Sequence, residues 1–249
     1  MIPVGDSVRT RTFPFVNLAI IAANFAVFAL ELSLGSDLNR NQFLCDWGAI
    51  PREISYFFAP PQRPEAVIGA CGLTTSNVGI EEMARPLTAM FIHAGWLHIL
   101  GNMLFLWIFG DNIEDALGHV GYLVFYLLCG LAGTAAQVLA APYSTLPMVG
   151  ASGAIAGVMG AYLVLYPRAR VAVVIPFFIL LGALSVPAVF LIGVWFFTQL
   201  LSGVATIGHA TGGSGGVAWW AHVGGFVAGA VAVGLPRLLN PGPRNRFPS

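Results

Sequence analysis

The chain has 249 residues, of which 57% are hydrophobic and 9% charged, and its formal net charge is zero. Soluble domains carry about 25% charged residues, so this composition excludes an ordinary water-soluble globule. No basic stripe is present to meet phosphates, so a nucleic-acid partner is not expected.

The first apolar run covers residues 14–32 and follows Arg9 and Arg11. A spanning helix needs about 20 mostly apolar residues, so this run is long enough to cross a membrane. It resembles a signal peptide in position, but no small-residue cleavage site follows it. We predict a retained transmembrane helix after a short N-terminal segment, residues 1–13.

A long hydrophilic segment follows at residues 33–90, rich in proline and without sustained periodicity. We predict that it forms a long loop on the outer side. Cys45 and Cys71 both lie in it and can pair if the loop faces an oxidising space, although sequence alone does not fix the pairing. Cys129 lies in an apolar run and is predicted to be a core residue.

Four further apolar runs are predicted to be helices, at 96–108, 122–141, 150–166 and 219–236. The run at 171–203 is longer than one span and contains Pro176 and Pro187. It is either one span preceded by an apolar surface segment or two tightly turned spans, and the path of residues 171–184 stays open. Between it and the last run, residues 208–216 form a glycine-rich stretch that is typical of a flexible loop.

Counting the long run once gives six spans and places both termini on the same side of the membrane. Most arginines then flank that side: Arg9, Arg11, Arg168, Arg170, Arg237, Arg244 and Arg246. The positive-inside rule therefore makes both termini cytoplasmic, with a membrane domain at 14–236 and a C-terminal tail at 237–249. Counting the run twice would put the C-terminal arginines outside, so six spans are preferred.

Three of the predicted helices run inward and carry polar residues near their outer ends. The second has His98 and Asn102, the fourth has Ser152 and the sixth has His222. Because alternate helices run in the same direction, these four residues are predicted to lie at the same depth in the membrane.

Ser152 stands in a Gly-Ala-Ser-Gly string at a predicted helix start, where free backbone N–H groups can stabilise a developing oxyanion. Taken alone, the string is better explained by a helix cap or a packing serine than by a nucleophile. His222 is an ionisable residue within a span, which is a functional hypothesis by default.

Glycines one turn apart form small-residue faces on both helices: Gly153 and Gly157, and Gly225 and Gly229. Such faces let helices approach closely in lipid, so packing them together would bring His222 within hydrogen-bond reach of Ser152. An adjacent base is what a serine nucleophile needs.

His98 and Asn102 share one helix face. Both side chains can donate hydrogen bonds, which suits stabilisation of an oxyanion. The simpler alternative is two polar residues at a helix start. The other histidines, His93, His119 and His209, are expected to be structural or solvated.

Several strings between residues 85 and 230 resemble the motifs of the rhomboid proteases and stand in that family's order. They are LTAMFIH (87–93), WLH (96–98), NMLFL (102–106), FGDNIE (109–114), GASG (150–153) and AH (221–222) with Gly225 and Gly229. Each string is short, whereas the ordered set is specific. The resemblance implies an all-α bundle of six transmembrane helices.

The resemblance also implies roles for individual residues. Ser152 would be the nucleophile and His222 the general base of a dyad without a third acid. His98, Asn102 and the Ser152 backbone N–H would form the oxyanion hole, and Glu114 matches a position with a structural role. The implied activity is that of a serine endopeptidase cleaving transmembrane segments of other proteins near the outer membrane face, with neither cofactor nor metal.

Two positions depart from the family pattern. Many rhomboids place a tyrosine one turn after the serine, where it packs on the histidine, and here that position is Ala156. What orients His222 is therefore open. The Trp-Arg dipeptide common in the family's first outer loop is also absent, since Trp47 and Arg52 are only loosely similar.

Competing functions fit less well. An intramembrane metalloprotease needs a His-Glu-x-x-His string, which is absent, and an aspartyl protease needs two membrane-embedded aspartates. A non-catalytic rhomboid-like binder of membrane proteins would lack the serine or the histidine. A transporter would place its polar groups near the midplane. We expect transmembrane substrates and the lipid bilayer as partners, and a bacterial inner membrane as the location.

Overall fold

The computed structural model describes residues 2–59, 67–69, 71–74, 79–174, 184–206 and 217–239. The first part of the chain comprises strand β1 (Ile2–Asp6), helices α1 (Phe15–Ser33), α2 (Asp37–Trp47) and α3 (Pro51–Phe58), strands β2 (Val67–Gly69) and β3 (Gly72–Thr74), and the short helix α4 (Arg85–Thr88). The second part comprises helices α5 (Trp96–Leu117), α6 (His119–Ala140) and α7 (Ser152–Leu165), strands β4 (Arg170–Val174) and β5 (Leu184–Pro187), and helices α8 (Ala188–Thr206) and α9 (Trp219–Leu239).

Among the described helices, four are long and apolar enough to cross a membrane: α1, α6, α8 and α9. Helix α5 meets the same criterion together with residues 82–91, from which it is bent by 79°. Helix α7 is apolar but has only 14 residues. The helical membrane architecture predicted from the apolar runs is therefore present in a mostly helical structure, with four spans by this measure, or five with the bent pair.

Helix α7 forms the centre of the bundle. Residues 154–162 are all buried, because α5, α6 and α9 pack around them. Its contact with α9 is made by glycines: a Cβ added at Gly229 would collide with the backbone of Gly157, and one at Gly225 with the carbonyl oxygen of Gly153. The predicted glycine faces thus pack against each other, backbone to backbone.

The N-terminus of α1 is capped by a side chain near the C-terminal end of α5. Glu114 is fully buried and accepts hydrogen bonds from the backbone N–H groups of Val16 at 2.9 Å and Asn17 at 2.7 Å. Pro14, which precedes α1, offers no side-chain cap of its own. A carboxylate is the best partner for the exposed N–H groups and positive dipole of a helix start, so Glu114 has a structural role.

A small sheet was missed by the sequence analysis. Strand β1 pairs antiparallel with β4, which pairs antiparallel with β5. Asp6 at the end of β1 accepts hydrogen bonds from Asn112 at 3.0 Å and from the Tyr162 hydroxyl. Burial raises the pKa of the Asp6 carboxyl, and these hydrogen bonds oppose the rise. Strand β1 is thereby joined to the C-terminal parts of α5 and α7.

The long run at 171–203 contains a single described helix, α8, preceded by the β4 and β5 strands. Within the described residues, this arrangement agrees with one span and not with two. The strand alternation in β4 buries Val171 and Val173 completely and leaves Arg170 exposed. Residues 175–183 and the glycine-rich stretch at 208–216 lie outside the described residues.

The described residues of the segment at 33–90 contain helices where a long loop was predicted. These helices are α2, α3 and α4, and Cys45 and Cys71 form a disulfide. Ala49 pairs with Met148 in the connection that leads to α7, so the segment packs against the chain just before Ser152. The Arg85–Glu53 ion pair lies in the same segment, where burial raises the pKa of Glu53 and Arg85 opposes the rise. Cys129, in contrast, is a buried free thiol.

Candidate active site

Ser152 is the first residue of α7 and is partly buried. Two residues before it, Gly150 has a φ of +122°, a backbone conformation that L side chains rarely adopt. The Gly150 N–H donates to the carbonyl of Ala89 at 2.8 Å, which fixes this turn against the segment before α5. The turn therefore places the Ser152 hydroxyl at the N-terminus of α7, the central helix of the bundle.

His222 lies in the first turns of α9, opposite Ser152. Its Nε2 is 2.8 Å from the Ser152 Oγ, a hydrogen-bond distance. The contact follows from the glycine packing of α7 on α9, since bulkier residues there would hold the two helices apart. A serine that donates to an imidazole nitrogen can lose its proton to that nitrogen, which is the geometry that nucleophilic catalysis needs.

The other ring nitrogen of His222 has a partner that the sequence analysis missed. His222 Nδ1 is 2.7 Å from Oε1 of Gln199, a buried residue of α8. The rings of Trp195 and Trp219 flank the imidazole at centroid distances of 5.8 and 6.3 Å. A strongly polar amide in an otherwise apolar span was the available signal, because such side chains in membranes usually bond across helices.

His98 and Asn102 both face the turn before Ser152. A Cβ at Gly150 would lie 2.8 Å from His98 Nε2 and 3.6 Å from Asn102 Nδ2. The Asn102 amide nitrogen is buried and has no hydrogen-bond partner among the described residues. The three polar side chains predicted to lie near Ser152 are thus brought together around its helix start.

The remaining histidines differ in their surroundings. His93 is buried, its backbone N–H donates to Glu31 at 3.1 Å and its ring lies 5.0 Å from that of His98, so it is structural and not solvated. His119 pairs with Glu114 and has an exposed side chain. His209 lies outside the described residues. Within the described ranges, no group of three or more His, Cys, Asp or Glu side chains is arranged to hold a metal ion.

Comparison with known proteins supports the resemblance that the ordered strings between residues 85 and 230 indicated. Residues 81–236 match the family model of the rhomboid domain. The chain is 30% identical over 161 residues to RHOMBOID-like protein 1 of Arabidopsis thaliana, covering 61% of this chain and 39% of the relative. It is 33% identical over 173 residues to Rhomboid protease GluP of Bacillus subtilis (strain 168), covering 70% of this chain and 30% of the relative.

A third relative, Rhomboid-like protease 5 of Toxoplasma gondii, is 32% identical over 188 residues, which is 73% of this chain and 19% of the relative. In all three cases the chain spans less than half of the relative's length. The matched region nevertheless runs from the segment before α5 into the last turn of α9, at residue 236, and includes every polar residue placed around Ser152. With its apolar helices, the chain is an integral membrane protein that belongs to the rhomboid family.

Proposed function

We propose that this protein is an intramembrane serine endopeptidase that uses Ser152 as nucleophile and His222 as general base. The observation that carries the proposal is the 2.8 Å contact between Ser152 Oγ and His222 Nε2 at the ends of two packed apolar helices. Serine hydroxyls are weak nucleophiles unless a base is adjacent, and the contact supplies one. Two of the relatives described above carry the name of proteases.

The proposed topology has six spans, obtained by counting α5 and the short α7 with the four longer helices. Helix α7 has 14 residues and so a length of about 21 Å, whereas the hydrocarbon core is about 30 Å thick. Ser152 would therefore lie below the outer membrane surface, in a water-filled cavity that opens outward.

The orientation rests on two independent features. Arginines cluster near both termini and after α7, which makes that side cytoplasmic by the positive-inside rule. The Cys45–Cys71 disulfide lies in the segment on the opposite side, and disulfides persist in oxidising spaces. A bacterial inner membrane, with its oxidising outer compartment, provides both environments, and the membrane domain would cover residues 14–236.

The mechanism is acyl transfer in two steps. Ser152 Oγ attacks a peptide carbonyl while His222 Nε2 takes the hydroxyl proton and then returns it to the leaving amine. Water next attacks the acyl-serine, and His222 again accepts and returns a proton. The Asn102 amide, His98 and the Ser152 backbone N–H would donate to the oxyanion in both steps.

The proposed substrates are transmembrane segments of other proteins. A membrane helix satisfies its own backbone hydrogen bonds, so its peptide bonds become accessible only after local unwinding. Segments with small residues and helix breakers near the outer membrane face should therefore be cleaved first.

The test compares the full chain with Ser152→Ala and His222→Ala in detergent, on a model transmembrane substrate. We expect each variant to lose at least about 10³-fold in kcat/KM, the scale seen when a serine–histidine pair is broken. Ser33→Ala is the matched control, because Ser33 is exposed and bonds only to Leu30 within α1. Undiminished cleavage by Ser152→Ala would contradict the proposal.

A fluorophosphonate probe provides a second measurement that needs no substrate. The probe should label the wild type and the Ser33→Ala variant but not Ser152→Ala. A folded wild type that neither cleaves any transmembrane substrate nor reacts with the probe would instead favour a non-catalytic binder of membrane proteins.

A further inference from the structure

Helix α8 buries a single narrow stripe against the rest of the bundle. Its buried residues are Ala188, Ile192, Gln199 and Gly203. Three of these are small or apolar, as expected for a helix face in lipid, and Gln199 is the exception. A buried amide is costly unless it is hydrogen-bonded, so the partner of Gln199 explains why this side chain is tolerated.

The Gln199 amide has a defined orientation. Its Nε2 lies 3.4 Å from the Trp195 carbonyl oxygen and 3.3 Å from the Thr198 hydroxyl. A backbone carbonyl can only accept, so the NH₂ group belongs on that side. Oε1 therefore faces His222 Nδ1, at 2.7 Å, and the Nδ1 atom must carry the hydrogen in this contact.

This orientation decides which nitrogen of His222 can act as a base. A neutral imidazole has one N–H and one lone pair. With the hydrogen on Nδ1, the lone pair is on Nε2, which faces the Ser152 hydroxyl at 2.8 Å. The opposite tautomer would place an N–H against the serine and could not accept its proton.

We propose that Gln199 is a positioning residue that completes Ser152 and His222 into an uncharged triad by holding His222 in the Nδ1–H tautomer. The proposal rests on the proposed function of the pair. Gln199 itself gains and loses no proton: the hydrogen stays on Nδ1 while Nε2 takes the serine proton and later gives it to the leaving amine. The amide oxygen accepts from Nδ1–H throughout.

The same face of α8 also places an aromatic ring beside His222, where the family pattern uses a tyrosine on α7. Trp195 lies one turn before Gln199, and its ring flanks the imidazole at 5.8 Å. Ala156, the position of the tyrosine in the family pattern, is fully buried in α7 and has no ring to offer. Besides its contact with Ser152 of α7, His222 is thus positioned from α8 by an amide and an indole.

The activity test uses two substitutions of Gln199 in the full-length protein. Gln199→Leu removes the acceptor at similar size and should lower kcat by about 100-fold, at the low end of what a general base contributes, with KM changed less than about twofold. Gln199→Glu keeps an acceptor, so activity should persist, while its carboxylate stabilises the protonated ring and shifts the acidic limb of the pH–activity profile to higher pH. Thr206→Val, on the same helix and bonded to Gly203, is the control and should match the wild type.

The tautomer is measured directly by NMR on protein labelled with ¹⁵N-histidine. The His222 signals are identified by their loss in His222→Ala. We expect Nδ1 to be protonated in the wild type and in Thr206→Val, and a mixture of both tautomers in Gln199→Leu. An unchanged tautomer and unchanged kcat in a folded Gln199→Leu would overturn the proposal.

The two proposals fail in different ways. If the wild type shows no cleavage and no probe labelling, the proposed function fails, whatever the tautomer measurement gives. If the wild type cleaves and Ser152→Ala does not, the protease assignment stands, and only the Gln199 variants decide the role of the amide.

Discussion

Helix α9, which carries His222, packs against both α7 and α8, and the two interfaces are built differently. They are called here the α7–α9 seam and the α8–α9 seam. Against α7 the contact is backbone on backbone: Gly229 meets Gly157, and the carbonyl of Phe226 meets Gly160. Against α8 the contact is made by side chains, with the Phe196 and Phe226 rings stacked at 4.2 Å. The α7–α9 seam sets the distance between Ser152 and His222, and the α8–α9 seam sets the orientation of the His222 imidazole.

The difference follows from the forces available in lipid. Lipid tails are as apolar as leucine, so helices gain little by burying large apolar side chains and associate through close packing and hydrogen bonds. The α7–α9 seam uses close packing, and its glycines have no side chain that could repack. The outer side of α8 faces away from the bundle and exposes large apolar residues: Val189, Phe190, Val194, Phe197, Leu201 and Val204. We therefore expect the α7–α9 seam to be the more rigid one.

Alanine substitution of one glycine in the α7–α9 seam and of one glycine in α8 tests this contrast most strongly. At Gly229 the new Cβ would collide with Gly157 backbone atoms, so the helices must separate, which should cost about 3 kcal/mol of unfolding free energy or prevent accumulation of folded protein. At Gly193 in α8 nothing lies within 4 Å of the new Cβ, and the change should be neutral or slightly stabilising. Denaturation in detergent measures both, and equal effects would contradict the contrast.

Hydrogen exchange compares the two helices without substitution. Local opening has a lower free energy where fewer buried contacts must break, so amides of α8 should exchange at least about tenfold faster than those of α7, a difference of about 1.4 kcal/mol. Exchange followed by mass spectrometry on peptides from residues 152–165 and 188–206 gives the comparison. Slower exchange in α8 would show that its seam is the more stable one.

The smallest expected effect comes from one hydrogen bond in the α8–α9 seam. Trp220 Nε1 donates to the Gly203 carbonyl at 3.1 Å. Trp220→Phe removes this donor and should lower the unfolding free energy by about 1 kcal/mol. Trp107→Phe is the matched control, since that ring is exposed on α5 and should change stability by less than about 0.5 kcal/mol. A loss as large as that of Gly229→Ala would mean that both seams are equally sensitive.

The spans could be predicted because a membrane imposes one simple requirement, a long apolar run. The predicted run at 14–32 corresponds to α1 at Phe15–Ser33, and that at 150–166 to α7 at Ser152–Leu165. The run at 96–108 was too short, because α5 continues through its acidic end, where Glu114 is buried as a cap. The acidic residues after residue 108 indicated a helix end in the sequence. In the structure, the hydrogen bonds of Glu114 stabilise the continuation of α5 to Leu117.

The small sheet and helix α2 could not be predicted from the local sequence pattern. Strand β1 has only five residues, and its partner β4 lies more than 160 residues away, so nothing nearby in sequence indicates the pairing. Helix α2 exposes most of its residues and buries none fully, so it lacks the apolar periodicity that predicts a helix. The Cys45–Cys71 pairing stayed open for the same reason, since spacing does not fix connectivity.

At the candidate site, helix direction and glycine spacing predicted that Ser152 and His222 would be neighbours, and their contact in the structure has hydrogen-bond length. Gln199 was missed although the absence of a tyrosine at Ala156 indicated that another group must orient the histidine. Gln199 lies in the run at 171–203, which the sequence allows to be one span or two, so no helix face could be assigned there. The catalytic roles of these residues stay predictions.

The pairing of β1 with β4 has a consequence for how the protein is made. Ser7 accepts a hydrogen bond from the backbone of Arg170, 163 residues later in the chain. At synthesis rates of about 5–20 residues per second, the ribosome needs roughly 10–30 s to reach the second partner after the first has emerged. During that interval α1 can enter the membrane, but its N-terminal strand has no partner. Docking of β1 onto β4 therefore has to wait until α7 and β4 have been synthesised.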